Sequence, residues 1–363
     1  MTVVMHPRPN PIVAALYTLR DMDVQVIVEH GPSGCSFMAS RPLENDGIRV
    51  VTSAMKEKDL IFGGIDPLVR TLNEVKREFN PKVVAVVGTC ASTIIGDDIG
   101  AAVRRVDMGP DCKVFHVDCH GCIGANTEGA IRALVAGAKA GVIPQEECDR
   151  QTALLKAATD LEKKRGMAGK AYLSPAVSPT KLSVAKRVLA ALSEGKKVSV
   201  CMIAKKELAY RFADLFVAVE EARRRLGGET LFVANMDGSV GLPRIRRYCS
   251  EINAELDADG VVIDRVVGGL DEYPVVGDRM KKEIDAFQPD LRIFLGICHA
   301  YPDLRQDDIL ITDQPRELAN YLNQNFTCAV GEVNSHAMVM GVHGIVHLET
   351  ADTIRELVRE TKR

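Results

Sequence analysis

Two cysteines occupy settings in which a thiolate could hold a metal group. Cys35 lies in EHGPSGCSF, a bend shaped by glycine and proline that directly follows the apolar run VQVIVEH. Cys90 lies in VVGTCASTIIGDDIG and also follows an apolar run. Glycines let the backbone turn sharply and approach a bulky group, which a packed core thiol does not require. The setting therefore favours ligation over ordinary packing.

A third turn, DCHGCIG, contains Cys119 and Cys122. This C-x-x-C spacing is shared by zinc, iron-sulfur and redox sites, but no partner pair follows it. Ligation by Cys119 or Cys122 therefore stays open beside ordinary burial in a turn. A structural zinc ion or a four-iron cluster is usually bound by four protein ligands, so Cys35 and Cys90 alone are too few. Either this chain has another pair of ligands, or a second copy of the chain provides it.

Cationic and imidazole side chains suited to an anionic ligand occur late in the chain. Arg244, Arg246 and Arg247 in LPRIRRY are candidate contacts for carboxylates, and the alternative is a solvated basic helix face. His336 and His343 in SHAMVMGVHGIVHL are candidates for the wall of a substrate pocket, and the alternative is a hydrogen-bonded structural role. No pattern identifies the catalytic residues.

Two further motifs have simple structural interpretations. Asp97 and Asp98 in IGDDIG are expected to cap or charge the first turn of a helix. GGIDPLVRTL places glycines before a helix, where an anion could bind, although such turns are more often structural. The chain has no G-x-x-x-x-G-K-[ST] loop and no well-placed G-x-G-x-x-G, so binding of ATP or a dinucleotide by those devices is not expected.

Short β-branched runs alternate with longer helical patterns, which predicts α/β units with parallel sheets covered on both faces. The predicted strands include VQVIVEH, PKVVAVVG, CKVFHVD, KKVSVCMIA, ETLFVANMDG, DGVVIDRVVGG, PDLRIFLGI and DDILITD. A polar-faced helix over residues 144–165 gives way to GMAGKAYLSPAVSPTK, which is rich in turn formers and marks a domain boundary. We expect an N-terminal α/β domain over 1–170 with the cluster cysteines. A second α/β domain over 183–275 and a third unit over 276–363, which closes the substrate site, follow it.

Composition excludes several classes of protein. The chain has 363 residues, of which 46% are hydrophobic and 26% charged, and these values are typical of globular proteins. A net charge of -3 argues against a nucleic-acid surface. No apolar stretch is long enough to span a membrane, and MTVVMHPRPNP lacks the order of a signal peptide. We therefore expect a cytoplasmic protein whose ten cysteines are reduced thiols, metal ligands or catalytic groups and do not form a disulfide framework.

HGPSGC and TCASTIIGDDI together resemble the two cysteine segments of the nitrogenase component 1 superfamily. The resemblance extends more loosely through QPDLRIFLGI and HAMVMGVHGIVHL and covers most of the chain. Within the superfamily, HPRPNPIVAALYTLRDMDVQVIVEHGPSGCSF and AKKELAYRFAD look most like the catalytic component of the nickel-sirohydrochlorin a,c-diamide reductive cyclases of methanogens. This resemblance implies a nitrogenase component 1-like α/β fold of two to three Rossmann-like parallel-sheet units.

The resemblance also implies a function. In a homodimer, Cys35 and Cys90 of both chains would together hold one 4Fe-4S cluster. Electrons would come from an iron-sulfur ATPase similar to the nitrogenase reductase, where ATP would be hydrolysed. The tetrapyrrole would be reduced and closed into a lactam, with nickel present only as part of that substrate. The product would feed the nickel coenzyme of methane metabolism.

Three alternatives remain beside this interpretation. One is another nitrogenase-like reductase, acting on a chlorophyll precursor or a sulfur compound. The second is a noncatalytic scaffold for metallocofactor assembly, and the third is a small-molecule-binding α/β protein with core thiols. The absence of an evident third cluster cysteine upstream of Cys35 argues against an eight-iron cluster, and no ligand set for an iron-molybdenum cofactor is evident, so nitrogen fixation is disfavoured.

Overall fold

A computed structural model describes residues 10–35, 37–165, 179–332, 339 and 341–360 of the chain. Contacts within the chain divide it into two compact units. The N-terminal unit comprises residues 8–156 together with residues 242–244, and the C-terminal unit comprises residues 157–241 and the chain from residue 245 onward. Among the described residues, no helix is long and apolar enough to cross a membrane.

The sheet of the N-terminal unit has four described strands in the order β2-β1-β3-β4, all parallel. Its central strands are buried on both faces, which is why they read as continuous apolar runs. The strands are β1 (Val26–His30), β2 (Arg49–Thr52), β3 (Val83–Gly88) and β4 (Lys113–Val117).

Helices connect these strands and cover the sheet, as parallel pairing requires. In chain order they are α1 (Pro11–Asp21), α2 (Phe37–Asn45), α3 (Glu57–Phe62), α4 (Ile65–Phe79), α5 (Cys90–Ile94), α6 (Ile99–Arg104), α7 (Asn126–Lys139) and α8 (Gln145–Arg165). Helices α1 and α7 pack so closely that a Cβ atom at Gly129 would lie 1.9 Å from the carbonyl oxygen of Pro11. The glycine in α7 is therefore required by helix packing.

The sheet of the C-terminal unit has six described strands, again all parallel, in the order β10-β9-β8-β5-β6-β7. They are β5 (Lys197–Ile203), β6 (Glu229–Ala234), β7 (Arg265–Val266), β8 (Leu291–Gly296), β9 (Ile309–Thr312) and β10 (Ala329–Gly331). The helices are α9 (Pro179–Ser193), α10 (Ala209–Leu226), α11 (Pro243–Ala258), α12 (Gly277–Phe287), α13 (Pro315–Asn323) and α14 (Glu349–Glu360). Short 3-10 turns at Lys206–Leu208 and Cys298–Ala300 follow β5 and β8.

The predicted α/β fold with parallel sheets is confirmed. The boundary expected between 183–275 and 276–363 falls between strands of one sheet, because β8 pairs with β5 from Val198 opposite Leu291 onward. The turn-rich stretch expected to separate the first domain lies mostly in residues 166–178, outside the described residues. The contacts instead place the division within α8, at Ala157.

Candidate metal centre

Cys35 and Cys90 follow neighbouring parallel strands of the N-terminal unit. Strands β1 and β3 pair directly, with His30 opposite Gly88 at their carboxyl ends. Cys35 comes after β1 and is exposed, whereas Cys90 is the first residue of α5 and is half-buried. Ligands of parallel α/β sheets gather outside this carboxyl edge. The structure therefore brings the two predicted ligands to the same edge.

Burial and neighbouring charges, that of Cys90 among them, raise the pKa of the Cys35 thiol. Burial is the largest cause that raises the pKa of the Cys35 thiol, and the charges of Glu29 and Cys90 raise it further. A hydrogen bond with the Thr89 hydroxyl acts in the opposite direction and lowers this pKa. Because the charge of Cys90 raises the pKa of Cys35, a nearby cation would stabilise the Cys35 thiolate against this repulsion.

The first glycine of the HGPSGC motif has a packing role. A Cβ atom at Gly31 would lie 2.3 Å from the Oγ1 of Thr89. The same hydroxyl of Thr89 donates to the carbonyl oxygen of His30 over 2.8 Å. Gly31 is thus needed so that the turn after β1 can lie against the turn after β3. At Gly34, by contrast, an added Cβ atom meets nothing within 4 Å.

A buried histidine and an aspartate brace the turn that contains Cys35. The Nδ1 of His30 lies 2.9 Å from the Oγ of Ser53, and its Nε2 lies 2.9 Å from an Oδ of Asp97. Asp97 also accepts from the backbone N–H of Gly64 at 3.0 Å. Burial is the main cause that lowers the pKa of His30, and the hydrogen bond and charge of Asp97 oppose it. The brace joins three loops around the candidate ligands.

The two aspartates of IGDDIG have different roles. Asp98 is exposed and caps α6 by accepting from the N–H of Ala101 at 2.8 Å, in agreement with the sequence-based prediction. Asp97 is instead directed to His30 and Gly64. Sequence reasoning missed this pairing, and the only available signal was the double glycine before α4, where a Cβ atom at Gly64 would lie 2.5 Å from Asp97.

The DCHGCIG turn contacts Cys90 through its backbone. The N–H of Gly121 donates to the Sγ of Cys90 over 3.2 Å. Cys119 is fully buried, and burial is the main cause that raises its pKa to about 11, whereas Cys122 is exposed. Ligation by Cys119 or Cys122 stays an open prediction. The observed contribution of this turn is an amide donor to a candidate ligand sulfur.

These residues fit an iron-sulfur cluster as one half of a ligand set. Cysteine sulfurs are the usual cluster ligands, and N–H donors to those sulfurs are a known means of tuning the cluster. Cys35 and Cys90 supply two sulfurs, and Gly121 supplies such a donor. A four-iron cluster needs four ligands, so Cys35 and Cys90 account for half of the set.

The predicted substrate contacts lie in varied surroundings. Arg244 is 6% exposed and belongs to the N-terminal unit, where its Nη1 lies 3.1 Å from an Oδ of Asp46. Arg246 and Arg247 are exposed on α11. His343 is exposed, and its Nδ1 lies 3.5 Å from an Oε of Glu251. The guanidinium of Arg244 thus already has a carboxylate partner.

His336 lies outside the described residues. A role in substrate binding stays a prediction for all five of these side chains.

Comparison with known proteins gives consistent matches. A family model described as nitrogenase component 1 type oxidoreductase matches residues 10–168. The chain is 42% identical over 360 residues to "Ni-sirohydrochlorin a,c-diamide reductive cyclase complex, component CfbD" of Methanothermobacter thermautotrophicus, covering 98% of this chain and 99% of that protein. It is 38% identical over 355 residues to the component of the same name from Methanocaldococcus jannaschii, covering 95% and 96%.

A solved structure, "Nitrogenase Cp1 at pH 6.5", is 14% identical with a TM-score of 0.34, covering 100% of this chain and 94% of that one.

Proposed function

This chain belongs to the nitrogenase component 1 type oxidoreductases, in the family of CfbD components of reductive cyclases, and we propose on this premise that it is the catalytic component of a cyclase for nickel-sirohydrochlorin a,c-diamide. The family prediction made from the cysteine segments is thereby confirmed. In the proposed reaction, electrons and protons reduce the macrocycle, and an acetamide side chain closes into a lactam. Nickel enters only as part of the substrate.

We infer that Cys35 and Cys90 of two copies hold one 4Fe-4S cluster. The observation that supports this most is the position of both thiols at the carboxyl ends of paired strands β1 and β3. When bound, the cluster would supply one-electron relay. The residues of this chain hold its ligands in place: His30 and Asp97 brace the turn before Cys35, and Gly121 donates to Cys90.

We further infer that a separate iron-sulfur ATPase delivers the electrons. The absence of a lysine-containing phosphate loop from the sequence agrees with ATP hydrolysis on another protein. The cysteine-bearing unit also exposes large apolar side chains, Ile61 by 73%, Phe62 by 86% and Ile94 by 83%. Ile61 and Phe62 lie just before Gly64 in the chain, and Ile94 lies just before Asp97. A hydrogen bond joins Gly64 to Asp97. Exposed apolar side chains of this kind are typical of a surface that another protein covers.

The cluster is tested by anaerobic iron and sulfide assays with electron paramagnetic resonance after reduction. Wild-type protein, Cys35→Ser, Cys90→Ser and the control Cys112→Ser are compared after reconstitution. Cys112 is half-buried and lies outside the candidate centre. We expect about four irons per dimer in wild type and Cys112→Ser, and loss of the signal in the other two variants. Wild-type protein without iron would contradict the cluster.

Turnover is tested with nickel-sirohydrochlorin a,c-diamide, ATP and the reductase. Formation of the lactam product, dependent on Cys35 and Cys90, is expected. A cluster-loaded protein that shows no turnover with an active reductase would favour the assembly scaffold. Phe62→Ser is expected to slow ATP-dependent reduction of the cluster while a chemical reductant still reduces it, because only docking of the ATPase is impaired. Equal ATP-dependent rates in Phe62→Ser and wild type would contradict the docking role of this surface.

A further inference from the structure

The sheet of the C-terminal unit has a carboxyl edge of its own, with a topological switch point. From β5 the chain proceeds to β6 and β7, then returns to the other side of β5 and proceeds through β8 and β9 to β10. In such sheets the crevice between the two strands at which the order reverses is the usual ligand position. That crevice lies at the ends of β5 and β8, where Ile203 is opposite Gly296.

The backbone at this switch point is held in several ways. Asn235 accepts from the N–H of Ala204 at 2.9 Å and donates to its carbonyl oxygen at 2.8 Å. Gly296 has a φ of +87°, and a Cβ atom there would lie 2.5 Å from the carbonyl oxygen of Ile203. The backbone just before Lys205 is therefore held in place. A side chain that binds a ligand in one orientation needs such a rigid support.

Lys205 extends from this origin and lies over an aromatic ring. Its Nζ is 5.4 Å from the centroid of Tyr273, a residue that is 6% exposed. Among the described residues, no carboxylate forms an ion pair with Lys205. A ring face holds an ammonium group in position and leaves its N–H donors available to an anion.

Two charged side chains near Tyr273 have opposite effects on its pKa. Burial raises the pKa of Tyr273; the charge of Glu162 raises it further and that of Lys206 lowers it.

Lys206, the residue after Lys205, adopts a left-handed φ of +53°, and its N–H donates to the carbonyl oxygen of Leu270 at 3.1 Å. A glycine would adopt this conformation without strain, so the position retains a long cationic side chain at some conformational cost.

We propose that Lys205 binds a carboxylate side chain of the tetrapyrrole at the crevice between β5 and β8. This inference rests on the proposed function, because a tetrapyrrole with two amidated side chains still has free carboxylates to recognise. A charge-assisted hydrogen bond from the Lys205 ammonium orients the macrocycle at this edge. The arginines expected to provide the cation include Arg244, whose guanidinium is paired with Asp46.

The test is a substrate titration of Lys205→Gln beside Lys197→Gln. Lys197 is a matched control because it begins β5, at the opposite end of the same strand, and its Nζ also lies over a ring, 5.1 Å from the centroid of Phe287. Binding is followed by the absorbance of nickel-sirohydrochlorin a,c-diamide. We expect the Kd of Lys205→Gln to rise by about tenfold, and that of Lys197→Gln to stay unchanged.

A second probe, the same compound with its carboxylates methylated, isolates the charge interaction. We expect wild type and Lys205→Gln to bind this ester equally, since the anionic partner is gone. An equal loss for both lysine variants, or the same loss with the ester, would overturn the inference. The proposed function fails separately, if cluster-loaded wild-type protein binds neither probe.

Discussion

The backbone N–H of Gly121 donates to the Sγ of Cys90 across 3.2 Å. A Cβ atom at position 121 would lie 3.1 Å from that sulfur, so a larger residue would move the turn away from it. The C-x-x-C turn thus meets the candidate centre with its amide. In the proposed cluster, this contact would give the turn a role in setting the electronic properties of the centre, whether or not its own thiols ligate.

Gly121→Ala is expected to lower the reduction potential of the cluster. Lengthening an N–H···S hydrogen bond leaves more negative charge on the ligand sulfur, and this charge disfavours the reduced cluster. Redox titration monitored by electron paramagnetic resonance measures the midpoint potential. Gly34→Ala is the control, because an added Cβ atom there meets nothing within 4 Å. Equal potentials in the two variants would show that the contact has no such effect.

Asp97→Asn is expected to destabilise the N-terminal unit, whereas Asp98→Asn is not. Asp97 accepts hydrogen bonds from Gly64 and from buried His30, and loss of such bonds costs on the order of 1–3 kcal/mol. Asp98 is an exposed helix cap, where asparagine serves nearly as well. Denaturant unfolding measures both variants. We also expect Asp97→Asn to lose iron faster, and the same stability in the two variants would contradict the brace.

A pH-dependent contribution to stability is expected from His299. Burial lowers its pKa, but hydrogen bonds and charges of Glu162 and Glu317 outweigh this and raise it to about 9. The folded protein therefore retains a proton that the unfolded chain releases near pH 6.5. The stabilisation is fully present below pH 6.5, declines above it and is lost as the pH rises through about 9, with an upper bound of roughly 3 kcal/mol.

Unfolding free energies measured between pH 6 and 10 check this expectation. The double variant His299→Gln with Glu317→Gln removes the pair together and is expected to reduce the slope between pH 6.5 and 9, while the buried cysteines, whose pKa values burial raises, still contribute above about pH 8. His347→Gln is the control, because His347 is 74% exposed and its Nδ1 lies 2.9 Å from an Oδ of Asp352. A double variant with the wild-type slope would assign the pH dependence to other groups.

Substitution of the buried Arg244 is expected to destabilise the protein, whereas substitution of the exposed Arg246 is not. Arg244→Met removes one buried guanidinium group that pairs with Asp46, while that of Arg20 remains, and this loss costs on the order of 1–3 kcal/mol. Arg246→Met changes an exposed side chain and is expected to alter stability by less than about 0.5 kcal/mol. Thermal unfolding distinguishes them. If Arg244→Met unfolds like wild type and binds substrate less tightly, Arg244 is a substrate contact.

The strands were predictable where burial dominates. Parallel strands covered on both faces form uninterrupted apolar runs, and β1, β3, β5 and β8 were all recognised in this way. The half-exposed edge strand Arg49–Thr52 was not predicted, because it is short and lacks such a run. DGVVIDRVVGG predicted a full strand, but only Arg265–Val266 pairs. Composition indicates a strand, whereas the extent of pairing depends on neighbours distant in sequence.

The candidate centre was predictable as far as local geometry reaches. Glycine-rich turns after apolar runs identified Cys35 and Cys90 without knowledge of the fold. The pairing of His30 with Asp97 joins residues 67 positions apart, and no local pattern specifies it. The amide of Gly121 was equally inaccessible, because any residue except proline has an N–H and only the fold places this one beside Cys90.

The assignment of residues 242–244 to the N-terminal unit has a consequence for synthesis on the ribosome. Arg244 pairs with Asp46 across 198 positions of the chain, so the unit that holds both candidate ligands is discontinuous in sequence. Residues 8–156 emerge first, and at about 5–20 residues per second their missing ion pair follows seconds later. Until translation passes this residue, Asp46 has Arg20 as its buried cation but lacks Arg244, so we expect assembly of the proposed cluster to be more efficient after Arg244 has emerged.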